Sequence, residues 1–291
     1  MAAGLEAEML KHLTEAATAA NIDDATGAAL GCIAYRGLWD LVPAGWNELA
    51  RANDHASGYD GIAFHHPASR SLVVASRGVD GFRSKKDWLV SGAMALGLYR
   101  GQAPLAVDLL RRAWAAAPQG QVDRLFLAGH SLGGGMADAL CGLGRSALAP
   151  QGFGDRPISG LGIASAGFSH AARAYAAQAG LTVNEADGDA IRHFIRKEDA
   201  VPHHPGRAIF GRDNLIASVY TGSFGQSGKW PQAMYSWVAD WLDNHQQLLH
   251  FKFLTEPDSR HVWRNAAGAY DPRDGGRPAW KKPRQMRPDD F

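Results

Sequence analysis

The sequence predicts an α/β protein with a mostly parallel central sheet, helices on both faces and an N-terminal helical extension. Two observations carry this prediction. Short apolar runs with the length of buried strands are interspersed with longer segments of helical periodicity. One such run, residues 125–128, leads into Gly-His-Ser-Leu-Gly at residues 129–133, and a helical pattern follows at once. This arrangement is typical of a serine held on a strand-to-helix turn.

Length and composition favour one large domain. The 291 residues are 46% hydrophobic and 20% charged, which describes an ordinary globular protein. We expect one α/β domain over residues 1–263, with residues 1–58 as its helical extension, and a separate tail over residues 264–291. Thirty basic and twenty-nine acidic side chains leave a formal charge of +1. The overall charge therefore indicates neither a nucleic-acid nor an anionic-membrane partner.

The cysteines and the N-terminus bear on the cellular compartment. Cys32 and Cys141 lie in apolar helical contexts without metal-like spacing, which predicts two buried free thiols and a reducing compartment. The N-terminus has acids where a signal peptide needs bases, and no apolar run approaches membrane-spanning length. We expect a protein made in the cytoplasm that either stays there or is exported without a cleaved signal peptide.

The first third of the chain predicts helices and then a hairpin. Apolar residues recur at helical spacing from Leu5 to Ala17, and a second helix of small residues covers Asp24–Arg36. Residues 37–54 predict a turn and a short helix. Residues 61–66 and Ser71–Ser76 then predict two strands joined by a turn at residues 67–69, the second strand being buried on both faces.

Two features follow the hairpin. Arg77-Gly78-Val79 places a glycine at the sheet rim just after a buried strand, where an enzyme of this architecture places its first oxyanion-hole donor. Any strand can end in glycine, so this signal depends on the serine motif. The apolar stretch at residues 94–98, between two glycines, is either a lid or a core helix. Pro104 predicts the start of the next helix.

The serine motif itself carries a physical reason for each residue. Ser131 on a sharp turn brings neighbouring backbone so close that only residues without a β-carbon fit two positions either side, hence Gly129 and Gly133. The N-terminus of the helix that begins at Leu132 would favour developing negative charge. The alternative is a glycine-rich turn with a solvated serine.

An acid follows at a second strand end. Residues 158–164 predict a strand, Ser169 begins a helix that Gly180 ends, and residues 190–199 predict a further strand that Pro202 prevents from continuing. Asp199, at the end of that strand, is the candidate to orient a histidine. Glu198 points to the other face, and Asp187 and Asp189 in a nearby loop are the alternative acids.

The histidine partner has several candidates. The order serine, acid, histidine retains five of the twelve histidines. His203 and His204 follow Asp199 too closely for contact unless the strand doubles back. His245 interrupts a helical pattern that covers residues 231–243 and is the candidate we favour; His250 is the main alternative, and His261 also stays open.

Together these blocks resemble the class-three lipase family, which has the α/β-hydrolase fold. The matching blocks are Arg77-Gly-Val with Asp87-Trp, Gly129-His-Ser-Leu-Gly-Gly, Asp199-Ala-Val-Pro and Asn244-His-Gln-Gln-Leu. The resemblance covers roughly residues 59–253. It implies that Ser131 is the nucleophile, Asp199 the triad acid, and the backbone N–H groups of Val79 and Leu132 the oxyanion donors. Many relatives carry threonine or serine at the position of Val79, so a hydroxyl donor is missing here.

These features predict a serine hydrolase of carboxylic esters, a lipase, phospholipase or carboxylesterase, that needs no cofactor and no metal. The substrate is a lipid or another ester with an apolar acyl chain, since Met94, Leu96, Leu98 and residues 230–241 could line an apolar cleft. The alternatives are a thioesterase or peptidase, and a non-catalytic module that binds a partner or lipid. Lipases of this type also serve as secreted bacterial effectors. The oligomeric state stays open.

The tail over residues 264–291 is basic and rich in proline. Seven basic and four acidic residues give it a formal charge of +3, and four prolines predict an extended segment. Transient contact with phospholipid head groups at a membrane surface, or with a partner, is one interpretation. A solvated terminus is the other.

Overall fold

The computed structural model describes residues 2–77, 85–118, 120–167, 169–196, 212–216 and 263–265. Within these residues one sheet of eight strands forms the centre of the protein. The strands are β1 (Asn47–Asp54), β2 (Tyr59–His66), β3 (Ser71–Ser76), β4 (Arg124–His130), β5 (Ile158–Ile163), β6 (Ile191–Arg196), β7 (Arg212–Ile216) and β8 (Trp263–Asn265).

The order of the strands in the sheet is the order in the chain. β1, β2 and β3 form an antiparallel meander, β3 to β7 run parallel to one another, and β8 returns antiparallel to β7. The parallel strands therefore end at a common edge of the sheet. The predicted mostly parallel sheet is confirmed.

Helices cover both faces of the sheet, as predicted. They are α1 (Ala2–Ala16), α2 (Asp24–Arg36), α3 (Lys85–Ala116), α4 (Leu132–Leu148), α5 (Ser169–Ala179) and α6 (Glu185–Gly188). Buried residues of α1 and α2 form the core on one face, and buried residues of α3, α4 and α5 form the core on the other. Short 3₁₀ turns lie at Trp39–Leu41 and Ala149–Gln151.

The period-2 alternation of the strands divides the apolar side chains between these two cores. In β4, Leu125 and Leu127 pack with α3 and α4, whereas Phe126 and Ala128 pack with α1 and α2. β3 alternates in the same way and is buried at every position. Strands buried on both faces read as continuous apolar runs, which is why the sequence identified them.

Strand β1 was missed by the sequence prediction. Residues 37–54 contain the expected short helical turn at Trp39–Leu41, but Asn47–Asp54 pairs with β2 as an edge strand. Its sequence, Asn-Glu-Leu-Ala-Arg-Ala-Asn-Asp, has no β-branched or aromatic residue and favours a helix or turn. Pairing with β2 overrides that local preference. The predicted helical extension therefore ends before β1.

The predicted start of a helix at Pro104 was also wrong. α3 runs from Lys85 to Ala116, with Pro104 inside it. Proline removes one backbone donor from the helix, and here the helix continues across it. Residues 94–98 belong to the first half of α3, and their function as a lid stays a prediction.

Several other expectations agree with the structure. α2 has the predicted bounds, the hairpin of β2 and β3 is present, and Cys32 and Cys141 are buried free thiols. The first residues of the predicted tail, Arg264 and Asn265, belong to β8, and residues 266–291 lie outside the described residues. No helix in the described part of the chain is long and apolar enough to span a bilayer.

Asp23 caps the N-terminus of α2 and gives a test of how this helix is held. Asp23 Oδ1 accepts hydrogen bonds from Thr26 N at 2.8 Å and Thr26 Oγ1 at 2.6 Å. The contact with His12 and these donors hold the pKa of the Asp23 carboxyl well below its usual range. We expect Asp23→Ala to lower the free energy of unfolding by about 1 kcal/mol at pH 7, because the cap is lost.

Asp23→Asn is the matched control, since asparagine caps helices as well as aspartate does. A carboxyl with a lowered folded-state pKa stabilises the fold above its unfolded pKa, and this stability is lost as the pH falls below about 4. Urea denaturation from pH 7 to pH 3 should therefore show a weaker acid dependence for Asp23→Asn than for the native chain. Equal acid dependence of the two proteins would contradict the role assigned to the carboxylate.

Candidate active site

Ser131 lies alone between a strand and a helix. β4 ends at His130 and α4 begins at Leu132. The backbone of Ser131 has φ 57° and ψ −122°, a conformation that costs a residue with a β-carbon on the order of 1–3 kcal/mol. Its hydroxyl does not cap α4. The strand–turn–helix that the sequence predicted is therefore present, with the strain at the serine itself.

The glycines of the motif are required by close backbone contacts. A β-carbon on Gly129 would lie 2.1 Å from the carbonyl oxygen of Gly133. A β-carbon on Gly133 would lie 2.1 Å from the carbonyl oxygen of Ser76, at the end of β3. Both distances are far inside van der Waals contact, and the obstructing atoms are backbone. The turn, the start of α4 and the end of β3 thus fit together only without side chains at these two positions.

Backbone hydrogen bonds from the neighbouring strand fix the turn. Ser131 N–H donates to the carbonyl of Ile163 at 2.8 Å, and Ala166 N–H donates to the carbonyl of Ser131 at 3.1 Å. Between these partners, Ala164 has φ 46°, which is also unusual for a residue other than glycine. The strained serine is therefore held by a second strained segment at the end of β5.

Helix α2 supports the turn from the opposite face of the sheet. A β-carbon on Gly31 would lie 3.2 Å from the carbonyl carbon of Gly129, so the helix backbone packs closely against the last residues of β4. The rings of Tyr35 and His130 meet edge to face, with centroids 4.6 Å apart. The N-terminal helices thus form part of the framework of the site.

The end of β3 is anchored by Arg77, next to the predicted oxyanion loop. Arg77 N–H donates to the carbonyl of Asp60 at 2.8 Å, and Arg77 Nε donates to the carbonyl of Tyr35 at 3.1 Å. Arg77 Nη1 also lies 3.4 Å from Asp60 Oδ2, which accepts a hydrogen bond from Trp39 Nε1 at 3.2 Å. Sequence reasoning missed Asp60. An acid at the start of an otherwise apolar strand was the available signal.

The two predicted oxyanion donors differ in what the structure shows of them. Leu132 is the first residue of α4, so its N–H is among the backbone donors that have no partner within the helix. Such donors stabilise negative charge that develops beside them. Val79 lies outside the described residues.

The remaining predicted site residues also lie outside the described residues: Asp199, His245 and the alternatives His203, His204, His250 and His261. The structure does describe β6, which leads toward Asp199 and runs parallel to β5. Its carboxyl end therefore points to the same sheet edge as that of β4. The assignments of acid and histidine stay predictions.

Of the alternative acids, Asp187 is engaged elsewhere. Its carboxylate accepts two hydrogen bonds from Arg145, from Nε at 2.7 Å and from Nη2 at 2.8 Å. Asp187 belongs to α6, which precedes β6 in the chain. In the described part of the chain there is no group of three or more His, Cys, Asp and Glu residues that could hold a metal ion.

The parallel strands, the helices on both faces and the serine turn at the carboxyl end of β4 define the α/β-hydrolase fold. Similar solved structures include lipases from the fungi Rhizomucor, Rhizopus, Penicillium and Aspergillus. One is a triacylglycerol lipase whose catalytic centre is a serine-protease triad: it is 14% identical, with a TM-score of 0.49, over 77% of this chain and 96% of that one.

Two further solved structures have a similar fold. The Rhizomucor miehei lipase with its propeptide is 16% identical, with a TM-score of 0.44, over 77% of this chain and 81% of that one. The mono- and diacylglycerol lipase of Aspergillus oryzae is 15% identical, with a TM-score of 0.42, over 66% and 76%. No protein-family model matches the sequence, and no curated protein matches it by sequence.

The contact at Gly133 can be tested by adding one methyl group. We expect Gly133→Ala to lower the thermal unfolding midpoint strongly, because the methyl group would overlap the Ser76 carbonyl oxygen and force the start of α4 away from β3. Gly101→Ala in α3 is the control, since its β-carbon would meet the nearest atom, Ser57 Cβ, at an ordinary 3.5 Å. Equal midpoints for the two variants, measured by circular dichroism, would contradict the contact.

At Ser131, in contrast to Gly133, we expect the absence of a β-carbon to favour stability. Ser131→Gly removes the β-carbon that makes φ 57° unfavourable, whereas Ser131→Ala keeps it. After allowance for the greater freedom of glycine in the unfolded chain, we expect the glycine variant to exceed the alanine variant by about 0.5–1 kcal/mol in free energy of unfolding. Chemical denaturation of both variants measures this difference. A less stable glycine variant would show that the turn is unstrained.

Proposed function

We propose that this protein is a serine hydrolase that cleaves carboxylic esters, with Ser131 as its nucleophile. The observation that carries the proposal is the conformation of Ser131, a strained serine at the carboxyl end of a central strand and at the N-terminus of a helix. Strain of this kind persists only where the surrounding structure enforces it, and it clusters at functional sites. A turn that merely exposed a solvated serine would need neither the strain nor the glycine contacts.

The chemistry follows from this placement. A histidine, His245 in our assignment and His250 in the alternative, takes the Ser131 proton while Oγ forms a bond to the ester carbonyl carbon. Asp199 orients that histidine and stabilises its charged form. The backbone N–H groups of Leu132 and Val79 stabilise the oxyanion of the tetrahedral intermediate.

The intermediate then breaks down in two halves. The histidine returns its proton to the leaving alcohol as the ester C–O bond breaks, which leaves an acyl group on Ser131. Water, deprotonated by the same histidine, attacks the acyl carbon. The carboxylic acid departs, and Ser131 regains its proton. These steps consume one water and require no metal or organic cofactor.

The substrate class we favour is a lipid ester, cleaved as by a lipase or phospholipase. Support comes from the sequence, which places Met94, Leu96 and Leu98 in an apolar stretch and several tryptophans within residues 230–241. These side chains would line an apolar cleft for an acyl chain. Thioesters and peptides use the same machinery, and a panel of acyl substrates separates these classes.

Replacement of Ser131 tests the proposal directly. With p-nitrophenyl esters of short and long acyl chains as substrates, we expect Ser131→Ala to lose hydrolysis by several orders of magnitude, because no acyl-enzyme can form. A fluorophosphonate probe should label the native chain and not this variant. Ser146→Ala, near the other end of α4, is the control and should keep both ester hydrolysis and labelling by the probe. Undiminished turnover by Ser131→Ala would refute the mechanism.

Absence of labelling in the well-folded native chain would instead favour the non-catalytic module. Circular dichroism of the same preparation shows whether the fold is intact. The two outcomes therefore distinguish a wrong nucleophile from an inactive protein.

A further inference from the structure

A buried polar pair lies between α4 and β6, outside the residues assigned so far. His193 Nε2 and Asp138 Oδ1 are 3.3 Å apart, and both side chains are 0% exposed. Asp138 belongs to α4, the helix that begins directly after Ser131, and His193 belongs to β6. The pair therefore connects two elements that are far apart in the chain.

A glycine on the neighbouring strand leaves space for the His193 ring. A β-carbon on Gly162 of β5 would lie 2.5 Å from His193 Nδ1, so the imidazole ring occupies the space that a side chain there would fill. His193 and Gly162 are also register partners across the two strands. Gly162, the next-to-last residue of β5, thus admits a ring that would otherwise not fit.

Stability alone is a poor explanation for the pair. Removing a carboxylate and an imidazole from water costs free energy that their mutual attraction offsets only in part, and apolar residues of similar volume are often as stable or more so. Buried polar groups do, however, fix one arrangement where apolar contacts would permit several. The pair is therefore better explained as a contact that fixes the relative position of the two elements it joins, α4 and β6.

The location of the pair indicates that it sets the position of α4 relative to β6. Asp138 lies seven residues, about two helical turns, after Ser131. His193 lies six residues before Asp199. α4 packs more extensively on β4 and β5 than on β6. A polar contact between α4 and β6 therefore adds a specific connection between the helix of the serine and the strand that leads to the predicted acid.

The other ionisable groups near the pair have separate roles. Burial raises the pKa of the Cys141 thiol, and the charges of Asp138 and Asp187 add to the effect, so Cys141 stays protonated. Asp187 pairs with Arg145 at the far end of α4. Arg192, beside His193 in the chain, pairs with Asp24 on the opposite face of the sheet.

We propose that Asp138 and His193 are positioning residues that set α4, and with it Ser131, relative to β6 and Asp199. This role rests on the proposed function. In this role the side chains act without contact to the substrate or the reacting atoms. They act by holding the nucleophile and the triad acid at the separation that the connecting histidine requires.

The double variant Asp138→Leu/His193→Leu tests this role, because it replaces the polar pair by an apolar one and removes both ionisable groups together. We expect a stability close to that of the native chain and a kcat for p-nitrophenyl esters roughly 10- to 100-fold lower, with KM little changed. The acid limb of the pH profile of kcat/KM should also shift, since the triad histidine depends on the distance to Asp199. A merely structural pair would move neither kcat nor the pH profile.

Two single variants keep the proposal testable if the double variant fails to fold. Glutamine at position 193 can place an amide N–H near Asp138, so His193→Gln should retain kcat and the pH profile. His193→Leu should lose kcat beyond the loss in Leu143→Ala, a variant that weakens the packing of the same helix and leaves both members of the pair in place. If His193→Leu and Leu143→Ala match in kcat at similar stability, the positioning role is refuted.

Failure of the proposed function gives a different result. A native chain that neither hydrolyses esters nor reacts with a fluorophosphonate contradicts the hydrolase. An active native chain whose double leucine variant keeps its kcat and pH profile contradicts only the role of Asp138 and His193.

Discussion

The structure around Ser131 depends on one constraint: three backbone segments meet with no side chain between them. These segments are the end of β3, the turn after β4 and the first residues of α4. They approach so closely that only glycine fits at positions 129 and 133. This contact leaves the intervening residue no relaxed conformation, so Ser131 takes a positive φ. The strain at the serine is thus a consequence of how closely the helix approaches the sheet.

The surrounding elements maintain this contact from every side. α2 packs beneath β4, and Arg77 ties the end of β3 to Asp60 and the Tyr35 carbonyl. The last residue of β5 accepts a hydrogen bond from Ser131 N–H, and Ala166, beyond that strand, donates one to the Ser131 carbonyl. The backbone of α2 packs against Gly129, and its Tyr35 carbonyl accepts a hydrogen bond from Arg77, so the N-terminal segment belongs to the framework of the serine turn.

The sequence predicts those parts of the fold that local patterns encode. The buried strands, α2 and the serine turn could be identified because each has its own apolar run, period or glycine spacing. β1 could not, because its residues favour a helix and only pairing with β2 makes it a strand. The pairs Asp60–Arg77 and Asp138–His193 join residues whose proximity exists only in the folded chain. The histidine of the predicted triad is hard to assign for the same reason: twelve histidines are present, and no local pattern distinguishes a partner for Ser131 among them.

The composition of α4 explains why polar pairs would be needed to place it. Eight of its seventeen residues are glycine or alanine, which allow the close approach to β3 and β4. Such a smooth surface offers few protruding side chains to interlock with the sheet, so apolar packing alone fixes the position of the helix along its axis only weakly. Asp138 pairs with β6 near the middle of the helix, and Arg145 pairs with α6 near its end. Each contact has a definite geometry, and together they oppose both sliding and rotation. The start of α4 lies close to the sheet at the serine turn, and polar contacts farther along the helix fix its position.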